Sequence, residues 1–296
     1  MTRSFSLEAE LALVAVTLLA WHAIRIPLEG GVGVSVEHAR DVLRLEGLFS
    51  LDLEATLIRL ASDSEAEAAL QWLYANIHLP VLFAFVAGMR LLAPDRYPLL
   101  RTTFIASFIP AAIVIGAYPL APPRWMPELG LGHPPAQSEL AGSTATLFHN
   151  ETAAAASQHF GFALFLAVAS IWLFPRSRLA WASLAYPVLV LAVVVGTGNH
   201  YLFDCVVGTL TFVVAAWVAR LVHNGRVAQS ASAPSAPGAV SIALGYGLVV
   251  WGFVSFDFTS PLSWHNAFPE AIVLAAGLAA IIAPRLGTRE PVIESG

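Results

Sequence analysis

Leu189-Val190-Leu191-Ala192-Val193-Val194-Val195-Gly196-Thr197-Gly198-Asn199-His200-Tyr201-Leu202-Phe203-Asp204-Cys205-Val206-Val207 reads as an apolar run, a short polar interruption and a second apolar run. A helix on the surface of a soluble domain carries a polar stripe along one side; these runs are apolar all round, as befits helices surrounded by hydrocarbon. Working outward, comparable runs lie at about 8–25, 71–92, 101–120, 156–175, 180–199, 203–222, 239–256 and 267–284. Each approaches the roughly 20 residues that cross a bilayer. The chain therefore reads as an all-α polytopic membrane helix bundle. A six-span core occupies residues 1–223, a Ser-, Ala- and Pro-rich linker 224–238, and a two-span extension 239–296.

Composition agrees. The 296 residues are 57% hydrophobic and 12% charged, with mean hydropathy +0.70, against about a quarter charged in a soluble domain. A net charge of −5 argues against nucleic acid as a partner. The single Cys205 excludes an internal disulfide and a cysteine-based metal site, and reads as a small buried apolar residue. Glu8 and Glu10 precede the first apolar run and no small-residue cleavage site follows it, so that run is expected to be a retained span.

Residues 35–70 differ. Val42, Leu43, Leu45, Leu48, Leu51, Leu53, Leu57 and Leu60 recur at helical spacing among Arg40, Arg44 and Arg59. This predicts helices lying on the membrane surface, or a small extramembrane helical hairpin. With eight spans, ten arginines fall on the N-terminal side and five on the other, which makes the N-terminal side cytoplasmic. Histidine shows the reverse bias. His22, His38, His78, His133, His149, His159, His200 and His265 all fall toward the outer side, and only His223 toward the inner. Insertion rules explain the arginine bias but not the histidine bias, which points to chemistry at the outer face.

The candidate chemistry sits at four helix ends on that face. His200 and Asp204 are four apart, so on a helix starting near Asn199 they share one side. The carboxylate is then expected to accept the Nδ1 proton and leave Nε2 as a nucleophile. Ser157-Gln158-His159 opens another span. Ser157 suits a helix N-cap, the helix N-terminus suits a phosphate, and His159 suits a general acid. Arg124, after Ala121-Pro122-Pro123, offers a planar donor fork for phosphate oxygens. Arginine, serine, two histidines and an aspartate are the parts that phosphoryl transfer needs. The same residues leave other readings open. One is a histidine-rich membrane metal site, although closely spaced histidine pairs are missing. Another is a catalytically silent transporter or assembly protein.

These motifs resemble the type 2 phosphatidic acid phosphatase superfamily, and within it the inositolphosphotransferase branch that includes inositol phosphorylceramide synthases. Tyr118-Pro119-Leu120-Ala121-Pro122-Pro123-Arg124 is similar to the first motif. Residues Asn150 through His159 align without a gap on the second. Thr197-Gly198-Asn199-His200-Tyr201, with Asp204 and Gly208, matches the third. Tyr74 and His78 resemble a further motif of that branch. The resemblance covers roughly residues 10–222 and implies a phosphohistidine intermediate on His200, with Asp204 as its partner and His159 as the acid. Arg124, Ser157, Asn199, Tyr201 and His78 would contact a membrane lipid phosphate, with no cofactor. The chain departs from the superfamily at Ala117 and Val194, which stand where cations are usual, and at Glu151 and Ala156, which stand where proline is usual. Fewer cations therefore grip the phosphate.

Overall fold

A computed structural model describes residues 6–49, 54–61, 64–130, 150, 152–223, 236–254, 272–273, 275–281 and 284. The regular elements among them are helices: α1 (Leu7–Arg25), α2 (Val32–Leu48), α3 (Glu54–Ala61), α4 (Ser64–Asn76), α5 (His78–Leu92), α6 (Tyr97–Ala117), α7 (Gln158–Leu173), α8 (Arg178–Ala182), α9 (Ala185–Gly196), α10 (Leu202–His223) and α11 (Ala236–Val254). Short 3-10 turns follow α1 and α6. Four segments are long and apolar enough to cross a membrane: Leu7–Leu28, Tyr97–Ala117, Arg178–Gly196 and Leu202–His223. The pair α4–α5 would add a fifth. The expected spans at 156–175 and 239–256 are shorter apolar helices, Gln158–Leu173 and Pro237–Trp251. Of 267–284 only 272–273, 275–281 and 284 are described, and Glu151, His133, His149 and His265 lie outside the described residues. The 156–175 span is short for a local reason. Ser157 caps its start, and Pro175 forbids a helical conformation at Phe174, whose N–H closes on the Ser170 carbonyl.

The chain groups into two compact units. One comprises residues 1–12, 75–98 and 227–296, the other 13–74 and 99–226. In the first, α5 and α11 pack through small residues, Gly88 facing Ala243 and Gly247 facing Ala84. Such pairs let backbones approach closely where no hydrophobic force separates lipid from helix. The buried Glu10 carboxylate in that unit accepts from the Tyr97 hydroxyl at 3.3 Å. His78 opens α5 and belongs to this unit, whereas the other candidate site residues belong to the second.

In the second unit, α7 crosses α10 at glycines. A β-carbon on Gly208 would lie 2.2 Å from the Ser157 carbonyl oxygen, and one on Gly161 would lie 2.6 Å from the Gly208 carbonyl oxygen. That contact seats the start of α7 on the first turns of α10. A polar clamp accompanies it: the Gln158 amide donates to Thr211 at 3.0 Å, and Ser107 of α6 donates to Gln158 at 3.4 Å. The residues before α7 form an extended strap. Leu120 N–H donates to Thr152, and Ala154 N–H donates back to Leu120. Ala153 through Ala156 are all buried.

The buried stripe of α2 is Ser35, Val36, Ala39, Val42 and Glu46. Leu48 is 81% exposed and Leu60 73%. These two face outward, while Leu43 and Leu57 are partly buried against the core. The opposite face lies on the residues around Tyr201.

Candidate phosphoryl-transfer site

The α9–α10 turn builds the core of the site. Gly198 adopts φ +65°, the left-handed region where glycine carries no steric cost. It reverses the chain after α9, so that Val194 carbonyl receives the N–H groups of Asn199 (3.1 Å) and His200 (3.0 Å), a glycine-dependent helix stop. The Gly198 carbonyl then accepts Arg124 N–H at 3.0 Å. The Arg124 guanidinium donates to Asn199 Oδ1, and the Asn199 amide donates to Thr197 at 2.7 Å. Arg124 and the α9–α10 turn are thereby tied together.

His200 is 7% exposed. The sequence predicts a helix starting near Asn199 with Asp204 accepting from His200. The structure corrects both points. Helix α10 starts at Leu202, and His200 Nδ1 is 3.1 Å from the Ala154 carbonyl but 3.4 Å from Asp204 Oδ2. A carbonyl only accepts, so Nδ1 carries the proton and Nε2 keeps its lone pair. Asp204 is the carboxyl group beside the ring, and its Oδ2 is primarily the acceptor of Tyr201 N–H at 2.9 Å. Tyr201 is the N-cap residue and Asp204 the third helical position, so this is the returning half of a capping box. Burial pushes the His200 imidazole down to about 4, against the opposing pull of the Ala154 bond; the Arg124 and Arg25 charges add to the lowering. His200 is therefore neutral at physiological pH, as a nucleophile must be.

His159 lies in the first turn of α7, half-buried. Its ring centroid is 6.4 Å from that of His200 and 4.9 Å from that of Tyr74. Ser157 is fully buried; its N–H donates to the Asp204 carbonyl, its hydroxyl accepts from Phe160 N–H, and the Cys205 thiol bonds to it. Cys205 is buried, as expected. Tyr201, expected to contact substrate, is fully enclosed among Val36, Ala39, Val42, Leu120, Trp125 and Met126. The structure thus makes it a packing residue. His78 is not among the groups the second unit brings together.

Two acids escaped the sequence reading. Glu54 Oε1 accepts from Leu202 N–H at 2.9 Å and Glu46 Oε1 from Phe203 N–H at 2.7 Å; the residues are 1% and 4% exposed. With Asp204 on Tyr201, three carboxylates take successive amides at the start of α10. These are donors that a helix otherwise leaves unpaired. The sequence signal was Glu46 in register with Val36, Ala39 and Val42, an acid on a buried stripe.

Glu46 Oε2 is buried without a hydrogen-bond partner. Burial raises its pKa to about 8, against the lowering effect of Phe203 N–H, and the neighbouring charges of Glu54 and Asp204 add to the rise. A pKa raised on folding gives stability that is complete below the unfolded value near 4.5 and is lost as pH climbs to about 8. The wild-type thermal midpoint is expected to fall between pH 5 and 9. Glu46→Gln, which keeps an acceptor for Phe203 but does not titrate, is expected to flatten that slope. Parallel melting curves across this range would refute the assignment.

His38, one of the histidines counted toward the outer side, packs on the segment before Arg124. It stacks on Tyr118 at 3.9 Å and its Nδ1 donates to the Pro119 carbonyl at 2.7 Å.

Residues 40–218 match the family model described as PAP2 superfamily. That span covers more than half of the chain and includes Arg124, Ser157, His159, His200 and Asp204. No curated protein and no solved structure matches the chain.

Proposed function

Because the chain belongs to the PAP2 superfamily, whose membership supports a phosphatase-like lipid phosphoesterase function, we propose that it transfers the phosphoryl group of a membrane lipid phosphate through a phosphohistidine on His200. The observation that carries this reading is the Ala154–Nδ1 bond, which leaves Nε2 of a neutral, buried imidazole unprotonated within reach of a second imidazole.

In the first step Nε2 attacks phosphorus, the bond from phosphorus to the lipid oxygen breaks, and protonated His159 gives its proton to the departing alkoxide. In the second, His159 takes the proton of an acceptor hydroxyl, that oxygen attacks phosphorus, and the P–N bond breaks. Water as acceptor gives a phosphatase; an alcohol such as a sugar or inositol hydroxyl gives a phosphotransferase. Arg124 and the α7 N-terminus hold the phosphate oxygens. The α10 N-terminus is already occupied by carboxylates, so the dipole end facing the anion is that of α7. The positive charge on phosphorylated His200 is balanced by Asp204, 3.4 Å from Nδ1.

The topology that goes with this reading is six spans and a two-span extension in a bacterial cell membrane, with the site on the outer face. The site is assembled by segments that also carry the outward-facing leucines of α2 and α3, so a lipid phosphate can enter from the membrane plane.

The test is rapid acid-free quenching of the purified protein with phosphatidic acid, phosphatidylinositol, a polyprenyl diphosphate and inositol phosphorylceramide in parallel, followed by peptide mass spectrometry. A mass adduct of the transferred group is expected on the peptide containing His200 with at least one donor: one phosphoryl group from a monoester or diphosphate, inositol phosphate from an inositol phosphodiester. An adduct elsewhere, or turnover with no adduct under any quench, would refute the covalent route.

A further inference from the structure

We propose that Arg25, at the end of α1, is a second phosphate-binding guanidinium, meeting the transferred group from the side of Ala156 and Ser157 while Arg124 meets it from the side of Gly198 and Asn199. This rests on the phosphoryl-transfer reading and adds a residue outside the family match, which begins at residue 40.

The last turn of α1 is fixed to the strap that ends in Ser157. Trp21 is buried against Ala153 and Ala156, and the Arg25 guanidinium carbon lies 5.5 Å from the centre of the Trp21 ring. The Asn150 amide donates to the Arg25 carbonyl at 2.7 Å, while Asn150 Oδ1 accepts from both the N–H and the hydroxyl of Thr152. Thr152 Oγ1 in turn accepts Gly30 N–H at 2.9 Å. The main chain at Arg25 and just beyond it is thereby tied to the segment that also presents the Ala154 carbonyl to His200.

The guanidinium itself is incompletely satisfied. Nη2 bonds to His22 Nδ1 at 3.1 Å, and Nε is buried without a hydrogen-bond partner. Arginine has five N–H donors and no acceptor, and a buried donor left unmade is costly. An anion with several acceptor oxygens explains why the cation is kept there. Arg25 interacts electrostatically with Tyr74, whose ring is 4.9 Å from His159. Behind the effect of burial, Arg25 and Arg124 both oppose protonation of His200, as two cations facing one imidazole would.

Charge accounting favours the same conclusion. A phosphate monoester carries close to two negative charges near neutral pH. Arg124 supplies one lasting positive charge and already donates to Asn199, protonated His159 gives its charge up with the proton it passes to the leaving group, and Ala117 and Val194 supply none. Arg25 brings the second.

The probe is inorganic phosphate, titrated calorimetrically into the full-length protein in detergent, with thermal midpoints recorded in parallel. Arg25→Gln is expected to weaken phosphate binding about 10- to 100-fold with little change in midpoint, and Arg25→Lys to recover part of that loss. Arg124→Gln is the reference. If Arg124→Gln weakens phosphate binding and Arg25→Gln stays within twofold of wild type, the Arg25 inference fails alone. If neither substitution changes the affinity, the phosphate seat itself is wrong and the functional reading fails with it. Should Arg25→Gln not fold, Arg25→Lys decides: wild-type phosphate affinity there, with no loss of the planar fork's contribution, overturns the proposal.

Discussion

Replacing His200 with alanine is expected to reduce phosphate release from a lipid phosphate by about ten-thousand-fold or more, because a covalent route has no substitute for its nucleophile. The imidazole is enclosed but not a packing hub, so the variant should still fold. The informative companion is Asp204→Asn. If the carboxylate fixed the imidazole tautomer, as the four-residue spacing suggests, the amide would be nearly as damaging as loss of the ring. Here the Ala154 carbonyl fixes the tautomer at 3.1 Å, and Asp204 stands at 3.4 Å with its oxygen on Tyr201 N–H. An asparagine oxygen can still accept that N–H. Asp204→Asn should then lose only the charge that balances phosphohistidine, roughly 10- to 1000-fold, leaving measurable turnover. Retention of more than a few per cent of activity in His200→Ala would end the nucleophile assignment; equal losses in the two variants would return the tautomer to Asp204.

What the sequence made legible follows from how each signal is encoded. Apolar runs announce helices because hydrocarbon admits little else, and the runs around His200 become α9 and α10. His159 and His200 could be paired from topology alone, since both end apolar runs on one side. The Gly198 reversal and the Ser157 cap are local chemistry and were readable as such. What could not be read was long-range. The acceptor for His200 is a main-chain carbonyl, which has no sequence identity; Ala154 could be any residue and still supply it. Glu46 and Glu54 reach α10 amides across 157 and 148 residues, so only their register hinted at burial. Arg25 was counted as a topology signal at a helix end, where arginine is ordinary. Tyr201 was misassigned because a motif neighbour of the nucleophile faces away from it, into the packing of α2.

The acids on the α10 amides also give α2 and α3 a place in the candidate site. A helix N-terminus beside a phosphate would otherwise compete for the anion. Glu46 and Glu54 occupy two of those donors and hold the turn in addition to its bonds with Arg124 and Ala154, which on the proposed reading leaves the anion to α7 and the guanidinia. Anchoring a reactive turn from two directions is what limits the small displacements that cost catalysis.

Gly208→Ala is expected to be the most disruptive single-methyl change in the chain. Within a helix, glycine to alanine ordinarily stabilises by about 0.5–1 kcal/mol. At Gly208 the new carbon would sit 2.2 Å from the Ser157 carbonyl oxygen and 2.8 Å from its carbonyl carbon. Both are backbone atoms of the α7 cap and cannot rotate away. Relief requires α7 to move off α10 by about an ångström, which also strains the Ser157 N–H bond to the Asp204 carbonyl. Overpacking of this kind costs about 1–3 kcal/mol. A shift of that size between His159 and His200 is enough to lower kcat about 100-fold. Gly33 and Gly47 of α2 provide the control, since a β-carbon there meets nothing within 4 Å; alanine at either should leave activity unchanged and stability equal or slightly higher. A Gly208→Ala protein that melts at or above the wild-type temperature with full activity would show that the two helices do not meet as closely as this crossing requires, and the shared site at their ends would have to be rebuilt.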